Sequence, residues 1–282
     1  MIRIVCENEQ GLQMAFSYGG DPICLVATDG FSDSDYLVNT SKNSGQDGET
    51  YNSATAQKRN PVITVEIMRD FVAQREKLHS FFQPRALGTV YHYDGDTGRK
   101  ANYYVEKIDI VESGATRSAT ISLICPDPKF YDLTESITAL AVWKGCVKFP
   151  LHIHEPFYIA KKINTLIGNV ANDSNVTQGL TIKFTATGTV VNPSLYDVNR
   201  HNKMQINITI HSGDTVIVTT ATGNKRVRLV SGGVTTNINN LMAYPPVWLQ
   251  AYQGDNLFRY DADSGIDSLS VSILHTKAYW GV

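Results

Sequence analysis

The sequence has little charge and no long apolar run. Asp, Glu, Lys and Arg make up 18% of its 282 residues, and the formal net charge is −2. No window approaches the roughly 18 apolar residues that a membrane-spanning helix needs. No basic tract is evident, since the pairs Lys58-Arg59 and Lys161-Lys162 are short. These shortages argue against membrane insertion and against recruitment of nucleic acid by charge.

Cysteine is also scarce. Cys6, Cys24, Cys125 and Cys146 are widely spaced and match no zinc pattern. The first residues, MIRIVCENEQ, lack the apolar core of a signal peptide. We therefore expect a protein that is made and kept in a cytosol with free thiols.

The motifs of common enzymes are missing. The sequence has no G-x-S-x-G, no P-loop, no H-E-x-x-H and no G-x-G-x-x-G. It therefore predicts neither an enzyme nor a cofactor.

Two patterns could hold a metal, but both are incomplete. His152 and His154 share a face of an expected strand, yet no further ligand than Glu155 is evident, so we interpret them as edge or interface histidines. The run DADSGID lacks the glycine and glutamate of a calcium loop, which favours an acidic turn. Its carboxylates are Asp261, Asp263 and Asp267, and a similar incomplete set is Asp29, Asp33 and Asp35. No resident metal is predicted.

Much of the sequence has the residue pattern of β-strands, and one stretch divides it into two parts. Ile121–Asp132 (ISLICPDPKFYD) begins as a strand and then meets two prolines, which lack an amide donor. One helix candidate lies among strands before it, and almost only strands follow. This predicts a domain over 1–135, a linker over 136–157 and a second domain over 158–282.

The first domain is predicted to be a small barrel or curled sheet with one helix. Apolar residues recur at spacings of three and four over Arg69–Phe82, before Gln83-Pro84 ends the helix. The expected strands are Met1–Cys6, Gln13–Tyr18, Ile23–Thr28, Arg59–Ile67, and the hairpin of Gly88–Tyr93 with Asn102–Val111.

Asp29–Thr50 is rich in Ser, Asp, Asn and Gly and predicts a long loop with one extended piece at Tyr36-Leu37-Val38. Loops of this length are usually functional or ordered by a partner. We expect this loop and the helix to contact a neighbouring subunit. The candidate interface residues are Tyr36, Leu37, Phe71, Arg75, Leu78 and Phe82.

The second domain is predicted to be a β-sandwich, because short strands alternate with Gly, Asn and Asp turns. The expected strands are Gly179–Thr185, Gln205–Ile210, Thr215–Thr219, Arg226–Val230, Trp248–Tyr252, Gly254–Tyr260 and Leu269–His275. Tyr244, Trp248 and Tyr252 cluster along the chain. They fit a core or subunit contact, with a carbohydrate platform as the alternative.

Several segments together carry a resemblance. In order, they are Asp29-Gly30, the R-x-P-x-I run Arg59–Ile63, a helix ending at F-x-P, a hairpin, C-x-DP-x-FYD at 125–132, and the turn Gly254-Asp255-Asn256. The chain resembles the distal tail proteins of bacteriophages with long non-contractile tails. A related baseplate protein, from a contractile tail or from a phage-derived bacteriocin, is the alternative that the sequence leaves open.

The resemblance implies an N-terminal split β-barrel with one α-helix, followed by a galectin-like β-sandwich. It implies a structural virion protein at the phage tail tip, assembled in the host bacterial cytoplasm. A hexameric ring would join the tail tube protein to the tail-associated adhesin or lysin, with receptor-binding proteins as further partners. The alternative is a carbohydrate-binding module for host-surface adhesion.

Overall fold

A computed structural model describes residues 2–32, 34–45, 47–113, 116–145, 160–164 and 166–282. The chain forms two compact units. The first comprises Met1–Leu133 with Ala278–Val282, and the second comprises Thr134–Lys277. The C-terminal residues thus return to the first unit.

The strands and helices have the following bounds. In the first unit they are β1 Ile2–Asn8, β2 Gln13–Ser17, β3 Ile23–Asp29, β4 Tyr36–Ser41, β5 Thr50–Ala56, β6 Val62–Ile67, α1 Phe71–Phe81, β7 Leu87–Asp94, β8 Thr97–Ser113, β9 Thr116–Ile124 and β10 Phe130–Asp132. In the second unit they are β11 Ser136–Ala139, β12 Ala141–Gly145, β13 Ala160–Asn164, β14 Ile167–Asn172, β15 Gln178–Gly179, β16 Thr181–Ala186, β17 Val190–Val191, β18 Ser194–Asp197, β19 Asn202–Gln205, β20 Thr209–Ile210, β21 Thr215–Thr219, β22 Arg226–Ser231, β23 Val234–Asn237, β24 Gln250–Ala251, β25 Gly254–Asp261 and β26 Leu269–His275, with 3-10 turns at Asn239–Leu241 and Ile266–Ser268. The last strand, β27 Ala278–Tyr279, belongs to the first unit.

The first unit is one antiparallel sheet in the order β2-β1-β7-β8-β9-β6-β3, and β10 pairs with both β8 and β27. The edge strands β2 and β3 lie next to each other without a hydrogen-bonded ladder between them. The sheet therefore curls round as a barrel that is open at one seam.

Helix α1 fills the concave side of this sheet. Phe71, Leu78 and Phe82 are buried against inward-facing strand residues such as Ile4 and Phe16. Alternate residues of β6, with the pattern VITVEI, point into this core because successive side chains of a strand face opposite sides. The helix ends where the Phe82 N–H bonds to Leu78, shortly before Pro84.

The second unit is a sandwich of two antiparallel sheets. Six strands pair in the order β11-β26-β16-β21-β22-β23, and four pair as β14-β25-β18-β19. Inward residues of both sheets, among them Ile182, Phe184, Val218 and Phe258, share one core. Small ladders join β12 to β13, β15 to β24, and β17 to β20.

The fold class expected from the sequence is confirmed, because the chain is mainly β and has one α-helix among the described residues. Helix α1 lies within the predicted Arg69–Phe82, and β21 and β26 coincide with predicted strands. Other strands differ in detail. The expected strand Gln205–Ile210 is divided between β19 and β20, with Asn207 and Ile208 outside any ladder.

Two segments belong to a different part of the structure than the predicted domain limits imply. Ser136–Ala139, expected in a linker, is β11 and pairs with β26. Ala278–Tyr279, expected in the sandwich, is β27 and pairs with Phe130 and Tyr131 of the first unit. The rest of the predicted linker after residue 145, that is 146–157, lies outside the described residues.

Candidate assembly surfaces

Strands β4 and β5 form a two-stranded ribbon. The predicted loop Asp29–Thr50, with its extended piece at Tyr36-Leu37-Val38, contains β4 but ends where β5 begins. The two strands pair only with each other. A bond from the Gln57 N–H to the Asp35 carbonyl, 2.8 Å long, closes the base of the ribbon. The pattern was missed because both faces are exposed, so neither shows the apolar alternation of a half-buried strand.

The two faces of this ribbon differ in polarity. Tyr36 pairs with Ala56 and Val38 with Ala54, so these four share one face. The other face carries Leu37, Asn39, Ser53 and Thr55. Tyr36, Leu37 and Val38 are 49–52% exposed, and Tyr51 is 64% exposed. An isolated two-stranded ribbon is marginally stable in water, so burial of this apolar face against another surface would stabilise it.

The helix supplies fewer interface residues than the sequence predicted. Phe71, Leu78 and Phe82 are at most 6% exposed and fill the core of their own unit. Their assignment as contacts is corrected, because the apolar stripe of α1 faces the concave side of the sheet. Arg75 remains exposed, with its guanidinium carbon 5.8 Å from the centre of the Phe71 ring.

Three of the segments that carry the resemblance meet around one buried arginine. Arg59 is 4% exposed. Its Nε donates to the Pro128 carbonyl at 2.8 Å, and Nη1 donates to the carbonyls of Gly30 and Phe31 at 3.0 and 2.9 Å. Its Nη2 donates to Ser34 Oγ at 2.7 Å and to the Trp280 carbonyl. The guanidinium therefore joins the Asp29-Gly30 turn, the DP-x-FYD segment and the C-terminal strand β27.

Other side chains pack around Arg59 and its partners, which we call the Arg59 cluster. The Phe130 ring centre lies 5.0 Å from the Arg59 guanidinium carbon and 6.0 Å from the Phe31 ring. Tyr131 donates its hydroxyl to Asp127 at 2.6 Å. Gly30 has φ +69°, and a Cβ there would collide with the Asn60 carbonyl. These contacts give a structural reason for the motif and fix the root of the β4–β5 ribbon.

The three aromatic residues considered as a carbohydrate platform have separate neighbours. Tyr244 is 95% exposed, whereas Trp248 is half-buried against the sandwich core. The Tyr252 ring lies 3.7 Å from the Arg200 guanidinium carbon, and the Trp248 ring lies 5.8 Å from Lys225 Nζ. Stacked cations thus occupy a face of Tyr252 and approach a face of Trp248. Whether these rings bind sugar stays a prediction.

The acidic turn after β25 uses its carboxylates within the protein. Asp263 accepts a bond from Asn192 at 2.7 Å, and Asp261 accepts one from the Ala262 N–H at 2.9 Å. Among the described residues no group of three or more His, Cys, Asp or Glu side chains could hold a metal. His152, His154 and Glu155 lie outside the described residues.

A groove of about 380 Å³ lies between the β1–β2 turn and the end of α1. Its walls include Leu12, Met14 and Phe81 together with Glu9 and Lys77. Glu9 already accepts a bond from the Leu87 N–H at 2.8 Å. The groove is half apolar and holds no His or Cys.

Three of the four cysteines lie among the described residues. Cys6, Cys24 and Cys125 are free. Burial raises the pKa of the Cys125 thiol to about 12, so this thiol stays protonated at neutral pH. None of the helices in the described part of the chain has the length and apolar character needed to span a bilayer.

Among the histidines that the structure describes, one is buried in each unit. His92 on β7 is 8% exposed and His275 on β26 is 4% exposed. Burial lowers the pKa of both imidazoles and outweighs the nearby charged groups. Both side chains are therefore neutral in the folded protein at neutral pH.

We expect the free energy of unfolding to fall as the pH drops below about 6.5, the pKa of an exposed histidine. The unfolded chain takes up protons there that the folded chain refuses, so acid favours unfolding, and the effect vanishes above that pH. Urea midpoints at pH about 7.5 and about 5 should differ less for His92→Gln with His275→Gln than for the unaltered chain. The exposed His211→Gln is the control. An unchanged pH slope in the double variant would contradict the assignment.

The architecture defines the class of fold: a curled β unit with one helix, followed by a β-sandwich, as in phage tail hub and baseplate proteins. Over 98% of both chains it superposes on the SPP1 Dit (gp 19.1) protein, from the hub adsorption apparatus of phages infecting Gram-positive hosts, with a TM-score of 0.70 and 13% identity. The fold predicted from the resemblance to distal tail proteins is therefore confirmed.

Two further solved structures are similar to the chain. Both are of the phage P2 baseplate in its activated conformation, one with Ca and one with Sr. Each is matched over 100% of both chains at 9% identity, with TM-scores of 0.52 and 0.50. A scan against protein-family models and a search of curated proteins gave no match.

Proposed function

We propose that this chain is a structural subunit of a phage tail tip, and that copies of it close into a ring, with six copies expected. The observation that carries the proposal is the match over 98% of both chains to a tail hub protein. The same match covers the helix-bearing unit and the sandwich unit, so the whole architecture supports the assignment. The ring would connect the tail tube to the tail-associated adhesin or lysin.

The β4–β5 ribbon supports self-assembly independently of that likeness. Its Tyr36 and Val38 face is apolar, exposed and without a sheet of its own unit to pair with. A ring needs two different matching surfaces on each subunit, because each copy contacts one neighbour on either side. The ribbon is proposed as one surface, with Arg75 near the second.

We expect Val38→Asp to break the ring and Asn39→Asp to leave it intact. Both residues lie on β4 and both are exposed, so neither change should affect the fold. Only Val38 belongs to the apolar face, and a carboxylate covered there would weaken each contact by about tenfold or more. Light-scattering mass after gel filtration, with negative-stain images, measures the effect.

Three results would contradict the proposal. The unaltered chain could remain a monomer at high concentration, the two variants could assemble equally well, or closed rings could be absent from the images. Partner contacts are tested by cross-linking mass spectrometry on purified phage particles. Cross-links from this chain to the tail tube protein and to the adhesin or lysin are the expected result. Receptor-binding proteins are the further proposed partners.

A further inference from the structure

The outward face of the six-stranded sheet has an unusual composition. Inward residues such as Ile182, Val218 and Ile273 fill the sandwich core, so their neighbours along each strand point outward. The strand registers place the outward residues in three rows. These rows are Ser272-Lys183-Ile217-Arg228, Leu274-Thr181-Thr219-Arg226 and Ser270-Thr185-Thr215-Val230. Leu274 is buried, and the other eleven side chains are partly or fully exposed. We call these twelve positions the basic face.

The basic face carries positive charge that nearby acids do not balance. Lys183, Arg226 and Arg228 lie on it, and Lys225 directly precedes Arg226. No Asp or Glu occupies any of the twelve positions. Asp214, which directly precedes Thr215 in the chain, accepts a hydrogen bond from the His211 N–H at 2.9 Å.

Other cations of the same unit, in contrast, lie close to carboxylates. Arg200, Arg259 and Lys277 each have a carboxylate oxygen within 3.5, 3.6 and 2.8 Å. The ion pairs found in the described residues include none made by the four cations of the basic face and its edge. The chain as a whole has a net charge of −2. The positive charge is therefore concentrated on one sheet face, which favours an anionic partner.

The spacing of these cations suits an extended partner. Adjacent strands lie about 4.8 Å apart, so Lys183 and Arg228, on strands two apart, are separated by about 10 Å. Arg226 and Arg228 are two residues apart on one strand, or about 7 Å. An arginine fork binds carboxylate or phosphate through two parallel hydrogen bonds.

The uncharged side chains of the basic face indicate which class of anionic partner would fit it. Six of the twelve positions are Thr or Ser, and none is aromatic. Single-stranded nucleic acid is usually held by stacking on aromatic rings, and protein interfaces usually centre on aromatic anchors. Hydroxyl groups interleaved with cations suit a polymer that itself carries both hydroxyl and acidic groups. Trp248, beside Lys225, offers a ring at the edge of the face.

We propose that the basic face binds an acidic polysaccharide. The contacts are salt-sensitive pairs from Lys183, Arg226 and Arg228, with hydrogen bonds from the threonine and serine hydroxyls. The proposal does not rest on ring formation, since a chain that forms rings could leave this face bare and a monomer could still bind the polymer.

The test uses the full chain and polygalacturonate, a polymer of acidic sugars, with titration calorimetry at about 20 mM and about 300 mM salt. Binding at low salt that weakens at least about tenfold at high salt is the expected result, because exposed charges are screened. Dextran, a neutral glycan, should not bind. Poly-L-glutamate, which has charge without sugar hydroxyls, should bind more weakly than polygalacturonate.

The variant Arg226→Gln with Arg228→Gln should lower affinity for polygalacturonate at least about tenfold. Arg259→Gln with Lys203→Gln, exposed positions on the four-stranded sheet, is the matched control and should bind normally. Circular dichroism confirms that each variant folds. Absence of binding, equal binding of poly-L-glutamate, tighter binding of single-stranded DNA, or equal loss in the control variant would each overturn the proposal.

Discussion

Replacing Arg59 with alanine lowers the free energy of unfolding of the first unit by about 3–5 kcal/mol, because several buried hydrogen bonds to one charged group are lost together. The loss of the side chain leaves the carbonyls of Gly30, Phe31 and Pro128 without this donor inside the protein. Each unsatisfied buried acceptor costs about 1–3 kcal/mol. For a domain of this size the expected fall in Tm is about 10 °C.

The effect of Arg59→Ala should extend to the C-terminal strand. Trp280 is held through its carbonyl by Arg59 Nη2 and by the Ser34 hydroxyl at 2.7 Å. Without the guanidinium, the segment that follows β27 loses one of its hydrogen bonds to the rest of the first unit, while the ladder of β27 with β10, the Ser34 bond and the stacking of Arg99 on Tyr279 remain. We therefore expect the Trp280 fluorescence to shift to longer wavelength in the variant before global unfolding begins.

Urea unfolding followed by circular dichroism and fluorescence measures both effects. Arg59→Lys keeps the charge but presents a single ammonium group instead of a planar fork, so it should recover little of the lost stability. Lys58→Ala, an exposed neighbour, should change the free energy of unfolding by less than about 0.5 kcal/mol. An Arg59→Lys variant as stable as the unaltered chain would show that charge alone matters there.

The Arg59 cluster also shows what the sequence could and could not predict. The turn at Gly30, the R-x-P run and the DP-x-FYD segment were recognised as an ordered set, and they do meet. The partnership with Trp280 was missed, because it spans 221 residues and no local pattern marks a backbone carbonyl as an acceptor. Composition and periodicity report on neighbours along the chain, whereas this contact depends on the closed sheet.

Three helix residues were assigned to the candidate interface for a related reason. Spacings of three and four located α1 correctly, but an apolar stripe looks the same whether it faces its own core or a partner. Phe71, Leu78 and Phe82 were therefore assigned outward and lie inward. Strand β4 was predicted as part of a loop, because a strand that is exposed on both faces lacks the alternation of apolar and polar residues. Likewise, Lys183 joins Arg226 and Arg228 on the basic face only because β21 pairs with both β16 and β22.

Replacing Asn256 with aspartate destabilises the second unit by about 3–5 kcal/mol, although the two side chains have nearly the same shape. Asn256 is fully buried in the turn that resembles the family's G-x-N motif. Its Nδ2 donates to the carbonyls of Val170, Tyr252 and Gly254 at 3.2, 2.7 and 3.0 Å. A carboxylate oxygen at this place can only repel those three carbonyls, or must hold a proton to avoid doing so.

The pH dependence separates this account from a simple loss of packing. In the Asn256→Asp variant, Arg200 Nη1 and the Tyr252 N–H, 3.3 and 3.0 Å from Oδ1, would lower the pKa of the introduced carboxyl group. Complete burial and the three facing carbonyls would raise that pKa by more, so the penalty is smallest near or below pH about 4 and grows as the pH rises. Asn256→Ala, which removes the hydrogen bonds without adding a charge, should show no such slope relative to the unaltered chain. The exposed Asn202→Asp on β19 is the control for added charge alone. Urea unfolding at pH about 4 and about 8 measures all four proteins, and parallel pH profiles for the aspartate and alanine variants of Asn256 would refute the role of the Nδ2 donors.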